Sequence, residues 1–201
     1  RSKPDFFRFA SPEDIPADLK WENGQDLPEI GSPDAVKGGT FRYFVESFPS
    51  TFRFVGPDAN DSFRSEHWED VYTPTVARHM NVDGWHSGIA KEWAVSPDRK
   101  KVYFRIDPEA TYSDGVPIVV DDYFFTFYVM LSPHIQDPWY NDFYSKEFAS
   151  ITKYDDRTFC MELPNPRPDP LWYTGDFQPL PRHFFREFGP DFPARYQWRK
   201  S

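Results

Sequence analysis

The chain has 201 residues, is 39% apolar and carries 32 acidic against 23 basic side chains, a formal net charge of −9. That length suits one domain or two small ones. The charge argues against nucleic acid, which asks for a basic stripe, and no block of Lys and Arg contradicts it; no apolar run of about 18 residues is present to cross a bilayer as a helix. The single cysteine, Cys160, excludes an intrachain disulfide and a two-cysteine zinc site.

Residues 1–37 carry Pro4, Pro12, Pro16, Pro28 and Pro33 among acidic residues with little periodicity, which reads as an extended amino-terminal arm. Residues 38–201 form the body. After Gly38-Gly39, "TFRYFVES" alternates as a strand would. "NDSFRSEHWEDVY" reads as a helix capped by Asn60 or Asp61. "TVARHMNVDGWHSG" reads as a hairpin around Asn81 to Gly84. "KEWAVSPDRKKVYFRID" reads as a second hairpin, turning at Pro97-Asp98, with Val102, Phe104 and Ile106 on one face. "IVVDDYFFTFYVML" predicts one long helix beginning near Val119. "ASITKYDDRTFCMEL" predicts a third hairpin, turning at Asp155-Asp156, with Cys160 in a strand and Phe159, Met161 and Leu163 on one face. Short helical pieces follow near 168–173 and 181–188. The expected class is α+β, rich in strands.

Phe, Tyr and Trp together make 19% of the chain. Rings of that size belong in a core, and any surplus beyond core needs offers a surface that stacks on a ligand.

Asp114-Gly115 and the acidic pair Asp121-Asp122 have structural explanations. The first is a turn signal. The second sits in the first turn of a helix, where free N–H groups favour carboxylates by roughly 0.3–1 kcal/mol each. Adjacent helical positions point apart and make a poor catalytic pair. His67, His79, His86, His134 and His183 show no HxxxH, HxH or HExxH spacing; His79 and His86 flank one hairpin, but a zinc site needs further ligands. No GxSxG, P-loop or GxGxxG occurs. Neither an enzyme activity nor a cofactor is nominated.

Two segments taken as loops suit binding better. "VGPDANDSFR", 55–64, leads into a helix whose N–H groups can hold an anion or a peptide carboxylate. "DPWYNDFYSKEF", 137–148, gathers Trp139, Tyr140, Phe143 and Tyr144, either to close a core or to wall a cleft.

In order, "DAVKGGTFRYFVESFPSTF" and "SGIAKEWAVSPDRKKVYFRIDPEATYSDGVPIVVDDYFFTFYVM" resemble the amino-terminal part of the family-5 extracellular solute-binding proteins, the oligopeptide- and dipeptide-binding subunits of ABC importers. "PSTFRFVGPDANDSFRS" and "DPWYNDFYSKEFASITKYDD" are similar to the subgroup linked to microcin C type and murein-peptide uptake. The resemblance implies part of lobe I of a type II periplasmic-binding-protein fold, a mixed sheet with hairpins and a small inserted subdomain. It also implies a chain shorter than the family's usual length. A periplasmic or surface-tethered receptor without catalysis would follow, with a peptide or peptide-like ligand and a permease partner. The family's first-lobe ligand loop maps onto Asp58, Ala59, Asn60 and Asp61, and the aromatic contact after its long helix onto Trp139 or Tyr140. One departure is local: Val119-Val120 replace the usual Thr-Ala, removing a side-chain cap worth about 1 kcal/mol.

Two rival readings remain. A free-standing carbohydrate-binding or adhesion module would use exposed rings as stacking platforms. A hydrolase with dispersed carboxylates would need one of them strongly perturbed. Apolar surface left open on a partial lobe predicts self-association.

Overall fold

The computed structural model describes residues 5–36, 38–42, 44, 48–50, 63, 72–132 and 138–185. At its centre β5 (Ala90–Val95) and β6 (Lys101–Ile106) form one hairpin, and β7 (Ser150–Lys153) and β8 (Thr158–Glu162) another. β6 pairs antiparallel with β8, placing Val102 opposite Met161 and Phe104 opposite Phe159, so the hairpins merge into one sheet. Successive side chains of a strand point to opposite faces. Val102, Phe104, Ile106, Phe159, Met161 and Leu163 accordingly enter one buried core, as the alternation predicts.

Side chains fix the turns. Ser96 Oγ donates to Asp98 Oδ1 at 2.6 Å, that oxygen accepts the Lys100 N–H at 3.0 Å, and Arg99 takes a left-handed φ of 57°. Asp155 Oδ1 accepts the N–H groups of Arg157 and Thr158, both at 2.7 Å. The predicted hairpin at 75–88 is also present, as β3 (Val76–Arg78) paired with β4 (Trp85–Ser87) in a separate two-stranded ladder.

The amino-terminal segment supplies both edges of the main sheet. β1 (Phe7–Phe9) runs parallel to β7, and β2 (Trp21–Glu22) antiparallel to β5, giving the order β1-β7-β8-β6-β5-β2. Between these edges the chain crosses the sheet's second face, where Ile15 and Leu19 cover Ala94, Tyr103 and Cys160. Burial pushes the Cys160 thiol well up, so it is an inert strand residue. At the β2 edge the Arg105 guanidinium lies 3.7 Å from the Trp21 ring centre and pairs with Glu92 at 2.9 Å.

Helices cover the first face. α1 (Val120–Leu131) starts where the acidic pair predicts, and its N-cap Val119 makes no side-chain cap bond. The Val119 N–H instead donates to Asp122 Oδ2 at 3.0 Å, so the third helical residue supplies part of what the cap lacks. Val120, Tyr123 and Phe127 recur at helical spacing and are wholly buried. α2 (Pro138–Glu147) follows, and Asn141 Nδ2 donates to the Met130 carbonyl at 2.6 Å, tying it to the last turn of α1. α3 (Leu171–Thr174) is the short helical piece expected near 168–173.

Three expectations need correction or a limit. Of the strand expected over 40–47, Thr40, Phe41, Arg42 and Phe44 are described and belong to no strand. Alternation supplies a face but no hydrogen-bonding partner, and a strand needs both. The helix expected at 60–72 lies outside the described residues except for Phe63 and Tyr72, of which Phe63 is helical. Residues 137–148, taken as a loop, are largely the helix α2: proline is compatible with the first helical position, and Trp139/Phe143 and Tyr140/Tyr144 stand at i, i+4.

Candidate ligand-binding site

α2 carries a ladder of rings down one side. Trp139 stacks on Phe143 at 5.1 Å with only 6° between planes, Tyr140 stacks on Tyr144 at 6.2 Å, and Tyr144 on Phe148 at 5.8 Å. The lower rungs enter the core: Phe148 is buried and meets Phe127 edge-on at 5.0 Å. The upper rungs do not, and Trp139 is 64% exposed. One helix thus spends its aromatic residues on two tasks, anchoring itself below and presenting rings above.

A second set of rings faces this ladder from the end of the described chain. Trp172, 58% exposed, and Tyr173 lie on α3, and Phe177 follows in the segment after it. Hydrogen bonds hold that segment. The Thr75 and Val76 N–H groups donate to the carbonyls of Phe177 and Gly175 at 3.2 and 3.0 Å, and Leu180 N–H donates to Thr126 Oγ1 at 2.7 Å. Thr75 Oγ1 also donates to the Phe177 carbonyl and meets Tyr123 Oη at 2.9 Å. Gly175 is required by close approach: a Cβ there would stand 2.8 Å from Val76 Cγ2 and from the Leu171 carbonyl.

Between the two sets lies a cavity of about 310 Å³, the size of a small ligand pocket. Trp139, Tyr140, Phe143, Tyr144 and Phe148 line one side, Trp172, Tyr173 and Phe177 the other, with Tyr72, Thr126, Met130, Gln178 and Leu180 completing it. Asp176 is the one ionisable carboxyl among these lining residues, and no Lys, Arg or His is among them. Burial pushes the Tyr144 phenol well up, with the charges of Tyr140 and Asp176 adding to the shift. On the rim two arginines already use ring faces: Arg78 lies 5.5 Å from the Trp172 centre and Arg167 4.5 Å from that of Tyr173. Arg167 also pairs with Glu147 at 2.6 Å.

Trp139 and Tyr140, singled out from the sequence, therefore stand together in this cavity. Asp58, Ala59, Asn60 and Asp61 lie outside the described residues. Sequence reasoning missed Trp172, Tyr173 and Phe177. A signal was present: Trp-Tyr occurs twice, at 139–140 and 172–173, each shortly after a proline at a helix start.

The other candidates are engaged structurally. Asp114 Oδ1 accepts the Val116 N–H at 3.1 Å across a turn where Gly115 has φ 84°. Asp114 Oδ2 meets His183 Nε2 at 2.7 Å, and these contacts hold its carboxyl below the usual range. Asp121 points outward to Lys153 at 2.8 Å and Arg182 at 3.1 Å. Asp122 points inward, where burial raises its pKa against the opposing N–H groups of Val119 and Arg182. The two carboxyls of the pair thus diverge, as adjacent helical positions should. His79 and His86 do meet, with ring centres 6.2 Å apart. His79 Nδ1 accepts the N–H groups of Asn81 and Val82, so its Nε2 carries the proton donated to the Pro28 carbonyl at 2.7 Å. Both nitrogens of this buried ring are used in shaping the hairpin.

Comparison with known proteins places this arrangement. A family model for bacterial extracellular solute-binding proteins, family 5, middle region, matches residues 84–198. A curated binding protein of Brucella melitensis is 34% identical over 161 residues, 76% of this chain and 26% of its own length. The probable peptide-binding protein YejA of Agrobacterium fabrum is 28% identical over 181 residues, 89% of this chain and 28% of its own. The chain therefore spans about a quarter of the length of these curated relatives. The solved structure of the oligopeptide-binding protein AppA of Bacillus subtilis, in complex with a nonapeptide, matches with a TM-score of 0.56 at 14% identity, over 71% of this chain and 28% of that one. At that identity the match speaks for the fold, which is part of a type II periplasmic-binding-protein fold, as expected.

Proposed function

The chain belongs to the family-5 bacterial extracellular solute-binding proteins, and on that premise we propose that it forms one wall of a peptide-binding cleft closed by a second lobe. The observation that carries this reading is the aromatic cavity between α2 and α3, whose exposed rings sit on helices pinned to the core. Rings of this kind supply contact area at low entropic cost. The names of AppA and YejA, both peptide-binding, support a peptide as the ligand class. Capture alone requires no reacting group, and the carboxylates Asp114, Asp121 and Asp122 all serve turns, ion pairs or the helix start.

On the same reading, residues 38–201 form the amino-terminal part of lobe I and its inserted subdomain, with 1–37 as the arm. The protein that carries them works in the periplasm, or tethered outside the cell, and delivers its peptide to an ABC permease. The family's extracellular character supports that location. Asp58 to Asp61 are proposed as the second ligand-contacting segment. The microcin C type and murein-peptide subgroup remains the proposed branch, on the motif likeness at 49–65 and 137–156. The exposed side chains of Val36, Phe41, Phe44 and Phe48 support self-association of this stretch when it is separated from the second lobe.

Native mass spectrometry of the protein as its gene encodes it, and of the 201-residue chain, tests the proposal. A co-purified peptide on the former, absent from the latter, is the expected result. A sugar retained by the short chain would replace this reading with the stacking module.

A further inference from the structure

The cavity's composition is uneven in a way that peptide binding in general does not require. Among the described residues, eight of the rings that line it come from α2, α3 and the residues that follow each of them, a ninth is Tyr72, and the one formal charge is the negative one of Asp176. An indifferent side-chain pocket would be served by aliphatic groups and water. Ring faces carry negative quadrupole charge and attract cations within about 6 Å of the centroid. Trp139 stacks one face on Phe143, meets Tyr140 edge-on and is still 64% exposed, and Trp172 is 58% exposed with the Arg78 guanidinium 5.5 Å from its ring centre.

We propose that this cavity receives the cationic end of a peptide side chain, a guanidinium or ammonium group, laid against the faces of Trp139 and Trp172 with Asp176 as the rim carboxylate. The inference rests on the peptide-binding reading above and narrows its substrate class. Three further observations support it. The protein's own guanidinium groups already occupy ring faces on this rim, Arg78 on Trp172 and Arg167 on Tyr173, so the rings there accept cations. No cationic side chain lines the cavity among the described residues. Asp176 lines the same cavity as the rings of both helices and supplies its carboxylate. The net charge of −9 adds a long-range field of the same sign.

The test is calorimetry on the protein as its gene encodes it, with pentapeptides Ala-Ala-X-Ala-Ala where X is arginine, lysine, citrulline, norleucine or phenylalanine, and X moved through each position. The expected result is tighter binding of the arginine and lysine peptides than of the citrulline and norleucine ones at one position, by about tenfold, equivalent to about 1.4 kcal/mol. That ratio should shrink towards one in Trp139→Ala and Asp176→Asn, and persist in Trp172→Phe, which keeps a ring. Equal binding of charged and neutral peptides, or a preference for phenylalanine, would overturn the cationic assignment and leave the peptide reading standing. A cationic preference untouched in Trp139→Ala and Asp176→Asn would place it elsewhere in the cleft and equally overturn the assignment. Methylguanidinium binding as tightly as the arginine peptide would make the ligand a free cation instead. Failure of every peptide to bind would remove the peptide reading, and this inference with it.

Discussion

On the proposed reading, Trp139→Ala separates a ring offered to a ligand from a ring needed for folding. Burying an aromatic side chain removes about 150–250 Å² from water. With 64% of Trp139 exposed, a ligand can cover about 130 Å² more, which at about 25 cal/mol per Å² sets a ceiling near 3 kcal/mol. Incomplete coverage lowers that to an expected loss of about ten- to a hundredfold in peptide affinity. The stability cost is worked from the other third. Truncating a fully buried Trp costs about 3–5 kcal/mol, so a ring one-third covered should cost about 1–2 kcal/mol, including its stack on Phe143. In a chain of this length that is a fall of about 2–8 °C in Tm. Differential scanning calorimetry on the 201-residue chain and titration calorimetry with peptide on the encoded protein supply the two numbers. Loss of a cooperative unfolding transition would make Trp139 a core residue. Unchanged peptide affinity in a folded variant would refute the wall that the cavity is argued to form.

Phe127→Ala should behave oppositely. Its ring is wholly buried and packs on Phe6, Phe148 and Phe177 at 4.4–5.1 Å, so denaturant unfolding should show a loss of about 3–5 kcal/mol. Gly175→Ala forces a methyl group onto Val76 and the Leu171 carbonyl. We expect about 1–3 kcal/mol of destabilisation and weaker peptide binding, since Asp176 and Phe177 must shift; a neutral outcome by thermal melting would contradict the close approach. Acid should destabilise the fold through Asp98, Asp114 and Asp156, whose carboxyls are all held below the ordinary value. The unfolded chain binds those protons first, so their contribution is present above about pH 4 and is lost as pH falls through the lower folded values. Asp122 runs the other way: its raised value means that ionisation costs stability, and the cost disappears on acidification. Urea midpoints between pH 2 and 6 should therefore fall with acid in the wild type and fall more steeply in Asp122→Asn.

What was legible in the sequence depended on whether the signal and the structure shared a length scale. The hairpins at 90–106 and 150–162 were readable because period-two alternation and a short polar turn are both local. The start of α1 was readable because an acidic pair leads an apolar run. β1 and β2 were not, because three and two residues form strands only by pairing with β7 and β5, far along the chain. α2 was misread because Asp137-Pro138 resembles the opening of a loop, although its i, i+4 rings already carried the helical period.

The site divides in the same way. Trp139 and Tyr140 stand out in the sequence because four rings crowd within six residues. Trp172, Tyr173 and Phe177 were lost in a proline-rich tail, since nothing local says that Gly175 to Phe177 will dock on β3. That docking is also what resolves the aromatic surplus. Tyr123 and Phe127 stack on Phe177 and Phe148 meets it edge-on, as a core, and the rings next to them in the chain, at 139–140 and 172–173, rise from it as two sides of one cavity. A composition of 19% aromatic residues is therefore spent twice within the same elements. The buried half of each holds the exposed half in place, so a ligand need not order these rings on binding, and the entropy cost of doing so is already met by the fold.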